Sequence, residues 1–356
     1  MSRKAAPPRK PPTRKLESAS VGRRLIAMIL AGGVTLVVVG LVLIVGAVWL
    51  YQGPGPAAKA GDSTSVVLRK GAGLPEIASS LERGGVIRSS SIFMTAAQAT
   101  GAARSLKAGE YAFKSRASMA QVLEAIRRGR IVRHQVTIPE GLTSDMAVEI
   151  LMRSPVLTGV APTPPEGAIL PETYQVERGE DRSAVLQRMM DDRDQLLDQL
   201  WAGRQQGLPF STKEEAVTLA SIVEKETGIA SERPRVAAVF VNRLRTGMRL
   251  GSDPTIIYGL TRGRPLGRGI LLSELQRQTP YNTYYIDGLP PTPIANPGRE
   301  ALAAVLNPPS SDELYFVADG TGGHVFARTY AEHEANVARW REVERSRAAK
   351  SAKTGG

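Results

Sequence analysis

The sequence predicts an α+β protein made of an N-terminal single transmembrane helix, a small α+β module and a larger mixed α+β domain. Three observations carry that prediction. Residues 25–51 contain no Asp, Glu, Lys or Arg. After a stretch rich in Gly, Pro and small polar residues, short strand and helix periodicities alternate as far as about residue 133. Longer helical patterns follow, one of which places two glutamates, Glu224 and Glu226, in an otherwise apolar segment.

Residues 1–24 form a basic cytoplasmic segment: Arg3, Lys4, Arg9, Lys10, Arg14, Lys15, Arg23 and Arg24 stand against Glu17 alone. At a rise of about 1.5 Å per residue, residues 25–51 are long enough to cross a hydrocarbon core of about 30 Å. They are also too long for the apolar core of a cleavable signal, which runs to roughly 15 residues. The positive-inside rule then keeps the N-terminus cytoplasmic and the body extracytoplasmic, or periplasmic, on a single-pass cytoplasmic (inner) membrane anchor. Residues 52–65 read as a linker that cannot bury a core.

In the module, 66–133, strands are expected at 66–68, 109–113 and 132–138, the last running on past the module's end. Helices are expected at 74–83, 91–100 and 119–128. The larger domain, 134–340, should hold helices at 144–153, 182–200, 213–227 and 231–245, then a loop-rich region at 247–298. A hairpin of 314–318 and 325–327 follows, and a helix runs from 330 to about 345. Residues 341–356 read as a basic, disordered tail.

The net charge of +12 belongs mostly to the two ends. The body has no dense basic stripe of the kind phosphate binding requires, so nucleic acid is not an expected partner. With His134, His324 and His333 and no cysteine, neither a metal site nor a cofactor is expected. His324, in G-G-H-V-F, suits a hydrogen bond in a hairpin or between domains. No nucleophile elbow or P-loop is present.

Chemistry concentrates in L-A-S-I-V-E-K-E-T-G, residues 219–228. Ala216, Leu219, Ala220, Ile222 and Val223 share a helical face. A carboxyl set among them would have its charged form disfavoured and could hold a proton near neutrality, as a general acid must. The alternative is that both glutamates flank a helix end at the surface, paired with Lys225 or Arg233. Downstream, Ser252, Asp253, Tyr258, Tyr281, Asn282 and Tyr284 suit a sugar, which offers hydroxyls and apolar ring faces. Each also has an ordinary structural use: tyrosine in a core, Asn282 in a turn, Asp253 as a cap.

Ordered blocks extend the pattern: S-E-R at 231–233, V-F-V-N-R-L at 239–244, G-M-R-L-G-S-D-P-T-I-I-Y-G at 247–259, Y-N-T-Y at 281–284 and Y-F-V-A-D-G-T-G-G-H at 315–324. With the E-K-E-T block they resemble the endolytic murein transglycosylase (MltG/YceG-like) family in its membrane-anchored form. The chain differs from the family's usual P-D-T-Y and G-L-P-P-G-P-I at Glu172 and Thr292.

The resemblance implies that the module is LysM-like and the larger domain catalytic. It implies lytic cleavage of the MurNAc-GlcNAc bond of nascent peptidoglycan with a 1,6-anhydro-MurNAc end, Glu226 serving as acid and then base. Substrate contacts are expected from Glu224, Ser252, Asp253, Tyr258, Tyr281, Asn282 and Tyr284. The implied partners are glycan strands and the membrane, with peptidoglycan synthases as candidates. A hydrolytic muramidase using Asp253 or Glu224 as second carboxylate is the nearest rival. A noncatalytic, membrane-tethered glycan-binding scaffold is the other.

Overall fold

The computed structural model describes residues 17–354, with side chains from 23 to 347, and it divides the chain into two compact units at Val132 and Arg133. The first unit opens with α1 (Glu17–Gln52). Its stretch Arg23–Gln52 has a mean hydropathy of 2.8 and turns its leucines, isoleucines and valines outward, none of them buried. A rod that is apolar all round and this exposed is compatible with a single-pass membrane anchor. Six of the basic residues upstream, from Arg3 to Lys15, lie outside the described residues.

β1 (Ser63–Leu68) pairs antiparallel with β2 (Gly109–Lys114), Val66 opposite Tyr111. Between them lie α2 (Leu74–Arg83), α3 (Ser90–Ala99) and a 3-10 turn, Ala102–Arg104; α4 (Met119–Arg128) follows β2. Strand alternation turns Val66, Leu68, Tyr111 and Phe113 inward onto Ile77, Leu81, Phe93, Val122 and Ile126. Ser118 and Gln121 close a capping box on α4.

The segment expected to be a free linker is instead laid along this module. Gly55 N donates to Arg116 O (3.1 Å), Arg116 N to Pro56 O (3.0 Å) and Ala58 N to Ser115 Oγ (3.0 Å). Glycine permits this, since a Cβ at Gly55 would stand 2.1 Å from Ala117 O.

The second unit sets two small antiparallel pairings among layers of helix rather than building one large sheet. β3 (His134–Thr137) pairs with β4 (Thr173–Val176), a strand the sequence pattern did not reveal. α5 (Ser144–Arg153) and α6 (Arg182–Ala202) pack on it around Ile138, Leu151, Ile169 and Met189. The main core surrounds α7 (Lys213–Glu226), where every residue from Ala216 to Val223 is buried. It is enclosed by α8 (Arg233–Arg245), α9 (Asp253–Thr261) and α11 (Arg299–Leu306). α9 and the short α10 (Leu272–Leu275) interrupt the region expected to be loop.

β5 (Tyr315–Ala318) and β6 (His324–Ala327) form the expected hairpin, and α12 (Tyr330–Thr354) ends the described chain. The tail expected to be disordered continues this helix. Its Ala, Arg, Glu and Lys content favours helix throughout, and Arg347 donates to Gly320 O in the turn before β6.

Candidate active site

Glu226 is the last residue of α7; Thr227, in extended conformation, stops the helix there. The capping box of Thr212 and Glu215 fixes the start of α7, and its buried middle fixes its rotation. The carboxyl therefore emerges at a helix C-terminus, where the macrodipole disfavours negative charge.

α8 returns along the core and contributes Arg243. Its Nε donates to Leu314 O (2.7 Å) and its Nη1 to Leu250 O. After a turn at Gly251, whose φ of +57° suits glycine, the chain starts α9 with Ser252 and Asp253. Ser252 is buried; its N–H donates to Thr283 Oγ1 (2.8 Å), and Thr255 Oγ1 donates to Ser252 O (2.6 Å). So braced, the Ser252 hydroxyl donates to Glu226 Oε1 at 2.5 Å.

Glu226, Arg243, Asp253 and Tyr284 line one cleft of about 490 Å³ with Tyr315, Phe316, Tyr330 and His333. Tyr284 OH donates to Asp253 Oδ1 (2.8 Å). Burial is the largest influence on Glu226 and, with the Asp253 charge, pushes its pKa up to about 7; the Ser252 hydroxyl, His324 and Arg243 pull the other way. A carboxyl so poised can give a proton near neutrality and take one back.

Not all the residues singled out in the sequence converge here. Glu226, Ser252, Asp253 and Tyr284 do. Glu224, two residues from Glu226 and so on the other side of the helix, accepts from Arg233 Nη2 (3.3 Å) and from Gly298 N (3.0 Å). Tyr258 is buried in the main core, its hydroxyl on Glu166 Oε2 at 3.2 Å. Tyr281 tilts against Tyr258 (5.0 Å) and bonds Thr292 Oγ1 (2.8 Å). Asn282 is buried and ties the loop: its Nδ2 donates to Leu275 O (2.9 Å) and Arg277 O (2.7 Å), while its Oδ1 accepts from Tyr284 N (3.0 Å).

Glu224, Tyr258, Tyr281 and Asn282, expected to contact sugar, are not among the residues lining this cleft; their polar atoms bond Arg233 and Gly298, Glu166, Thr292, and the carbonyls of Leu275 and Arg277. Arg243, Tyr315, Tyr330 and His333 were missed. Arg243 and Tyr315 sit inside recognisable sequence blocks, but nothing in spacing shows that they meet Glu226. His324 bonds Glu232 through its ring (Nδ1 to Oε2, 2.8 Å) and its N–H (2.9 Å), docking the hairpin on the start of α8.

A half-buried acid, its pKa raised, faces polar and aromatic groups in an open cleft, an arrangement able to hold and exchange a proton near neutrality. Residues 66–339 match the YceG-like family, and the chain belongs to it. It is 29% identical over 324 residues to an endolytic murein transglycosylase of Streptococcus pneumoniae, the match taking in 77% of this chain and 58% of that protein. The chain thus spans a little over half the length of that relative. An endolytic murein transglycosylase of Bacillus subtilis is 42% identical over 117 residues, 33% of this chain and 32% of the other. A YceG-like protein of Listeria monocytogenes of known crystal structure shares 26% identity, with a TM-score of 0.49, over 78% of this chain and 99% of that one.

Proposed function

We propose that this chain is a membrane-anchored endolytic lytic transglycosylase. Protonated Glu226 gives its proton to the oxygen bridging MurNAc and GlcNAc while positive charge develops on the muramyl ring. The resulting carboxylate takes the proton of that ring's C6 hydroxyl, whose oxygen attacks C1 and closes a 1,6-anhydro end. One carboxyl acts as acid and then base, so the second carboxylate of ordinary glycosidases is not needed. Asp253 and Tyr284 hold the sugar, and Ser252 orients the acid.

The observation that carries this reading is Glu226 itself, bonded by Ser252 in the cleft with its pKa raised to about 7. Glu224 belongs to the frame of the site rather than to its chemistry. The two helices α2 and α3 set between the paired strands β1 and β2 support a LysM-like, glycan-binding role for residues 66–133, with α4 added after β2. With a cytoplasmic N-terminus, the body would work outside the inner membrane on newly made strands, beside peptidoglycan synthases.

Incubating the full chain in detergent with uncrosslinked glycan and weighing the products tests the reaction. Ends one water lighter than hydrolysis products are expected. Hydrolytic masses would make the chain a muramidase, and intact glycan a scaffold.

Two variants test how the acid is tuned. Since the acid must be protonated, kcat/KM should fall as pH rises through about 7. In Ser252→Ala the hydroxyl that favours the carboxylate is gone, so the falling limb should move to higher pH. In Asp253→Asn a repelling charge is gone, and the limb should move to lower pH. pH–rate profiles of the three proteins check both signs; shifts in the same direction would contradict the assignment of the limb to Glu226.

A further inference from the structure

We propose that Arg243, Tyr315, Tyr330 and His333 form a subsite for an acidic unit of the glycan, Arg243 taking a carboxylate and Tyr330 lying against a sugar face. The inference rests on the reading that this cleft receives a glycan strand, and it adds which chemical feature of the strand is recognised.

Arg243 is held by the two backbone carbonyls of Leu250 and Leu314, which use its Nε and Nη1. Among the described residues no carboxylate forms an ion pair with it, although it lines the cleft. The carbonyls fix the plane of the guanidinium without neutralising it, and the acid whose charge it feels in this cleft, Glu226, is the one that must be protonated for the reaction. A pre-oriented, half-dry guanidinium is the group best suited to take an incoming carboxylate.

The surrounding aromatics pack on one another. Tyr315 stacks on His333 with centroids 5.1 Å apart and planes at 23°. Tyr330 meets Tyr315 edge-on at 5.9 Å, and the Arg243 guanidinium lies 5.5 Å from the Tyr315 ring centre. Tyr330 is 60% exposed at the cleft, so its ring is not spent on the core. A tyrosine with an apolar face open and a polar tip suits a pyranose, which has both kinds of surface.

The strand offers a carboxylate from two sources, the lactyl group of a peptide-free muramyl unit or the stem peptide. Titration calorimetry with the full chain carrying Glu226→Gln, which leaves the ligand uncut, separates them. Four glycans are compared: peptide-bearing strands, peptide-stripped strands, and each of these with its carboxylates amidated. The charged form should bind about 10- to 100-fold tighter than its amidated counterpart. A preference on the peptide-bearing strand identifies the stem peptide, and one on the stripped strand identifies the lactyl group.

Arg243→Gln should abolish the preference. Tyr330→Ala should weaken charged and amidated glycan alike, by about tenfold, and keep the preference. Because Arg243 also tethers two carbonyls and its loss could unfold the chain, the amidation comparison on unaltered Arg243 is decisive. Equal affinity for charged and amidated glycans overturns the subsite. If the wild-type chain cuts glycan but shows no carboxylate preference, the subsite fails and the role of Glu226 stands. If a preference is seen and the wild-type chain leaves glycan uncut, the subsite stands and the role of Glu226 fails.

Discussion

Replacing Glu226 by Gln is expected to lower glycan cleavage by about a thousand-fold or more, since one side chain supplies both the acid and the base step. The amide matches the carboxyl in shape and still accepts from Ser252 Oγ, so the fold should survive. Stability should in fact rise, with a definite pH dependence. The folded carboxyl keeps its proton up to about pH 7, whereas an unfolded one loses it near 4.5. The native state therefore binds more protons within that window, and wild-type stability falls as pH rises through it. The glutamine variant has no such loss. Its advantage should be small below about pH 4.5 and full above about 7, amounting to about 3 kcal/mol at most. Denaturant unfolding of both proteins at about pH 4 and pH 8 measures it. Equal stability at both pH values would mean that Glu226 is well hydrated, and undiminished cleavage would remove it from the mechanism.

How legible this site was in the sequence depends on how local the information is. The apolar face of α7 and the presence of a carboxyl at its end follow from helical spacing, and the hairpin of β5 and β6 follows from strands around a glycine turn. Helices α9 and α11 were hidden for a local reason: they have nine and eight residues, too few to establish a period amid Gly and Pro. Spacing also put Glu224 and Glu226 on different sides of the helix without saying which side faced a cleft. That depends on Arg233 and Gly298, which reach Glu224 from elsewhere in the chain. The same holds for Arg243, Tyr315 and His333, brought to Glu226 by α8, β5 and α12. Asn282 and Tyr281 are ambiguous in sequence because residues that can bond a sugar bond a loop's own carbonyls and hydroxyls equally well, as these two do here.

Glu224→Ala is expected to give the opposite phenotype: a loss of about 3–5 kcal/mol in stability, with kcat/KM per folded molecule within about tenfold of wild type. The side chains of Glu224 and Arg233 are only 5% and 8% exposed and lie 3.3 Å apart. Truncating the glutamate strands a guanidinium away from water, and the remaining acid, Glu140, is 3.8 Å away and 42% exposed, too wet to replace it. Arg233 Nε already lacks a partner, so the guanidinium has little to fall back on. Gly298 N, at the start of α11, loses its acceptor as well. The cost should thus come from what is left unpaired, and a double variant, Glu224→Leu with Arg233→Met, should recover most of it by removing both charges together. Denaturant unfolding of the single and double variants, with cleavage assayed where each is folded, separates the two glutamates. If Glu224→Ala stayed stable but stopped cutting, while Glu226→Gln kept cutting, the acid would have to be moved two residues back along α7.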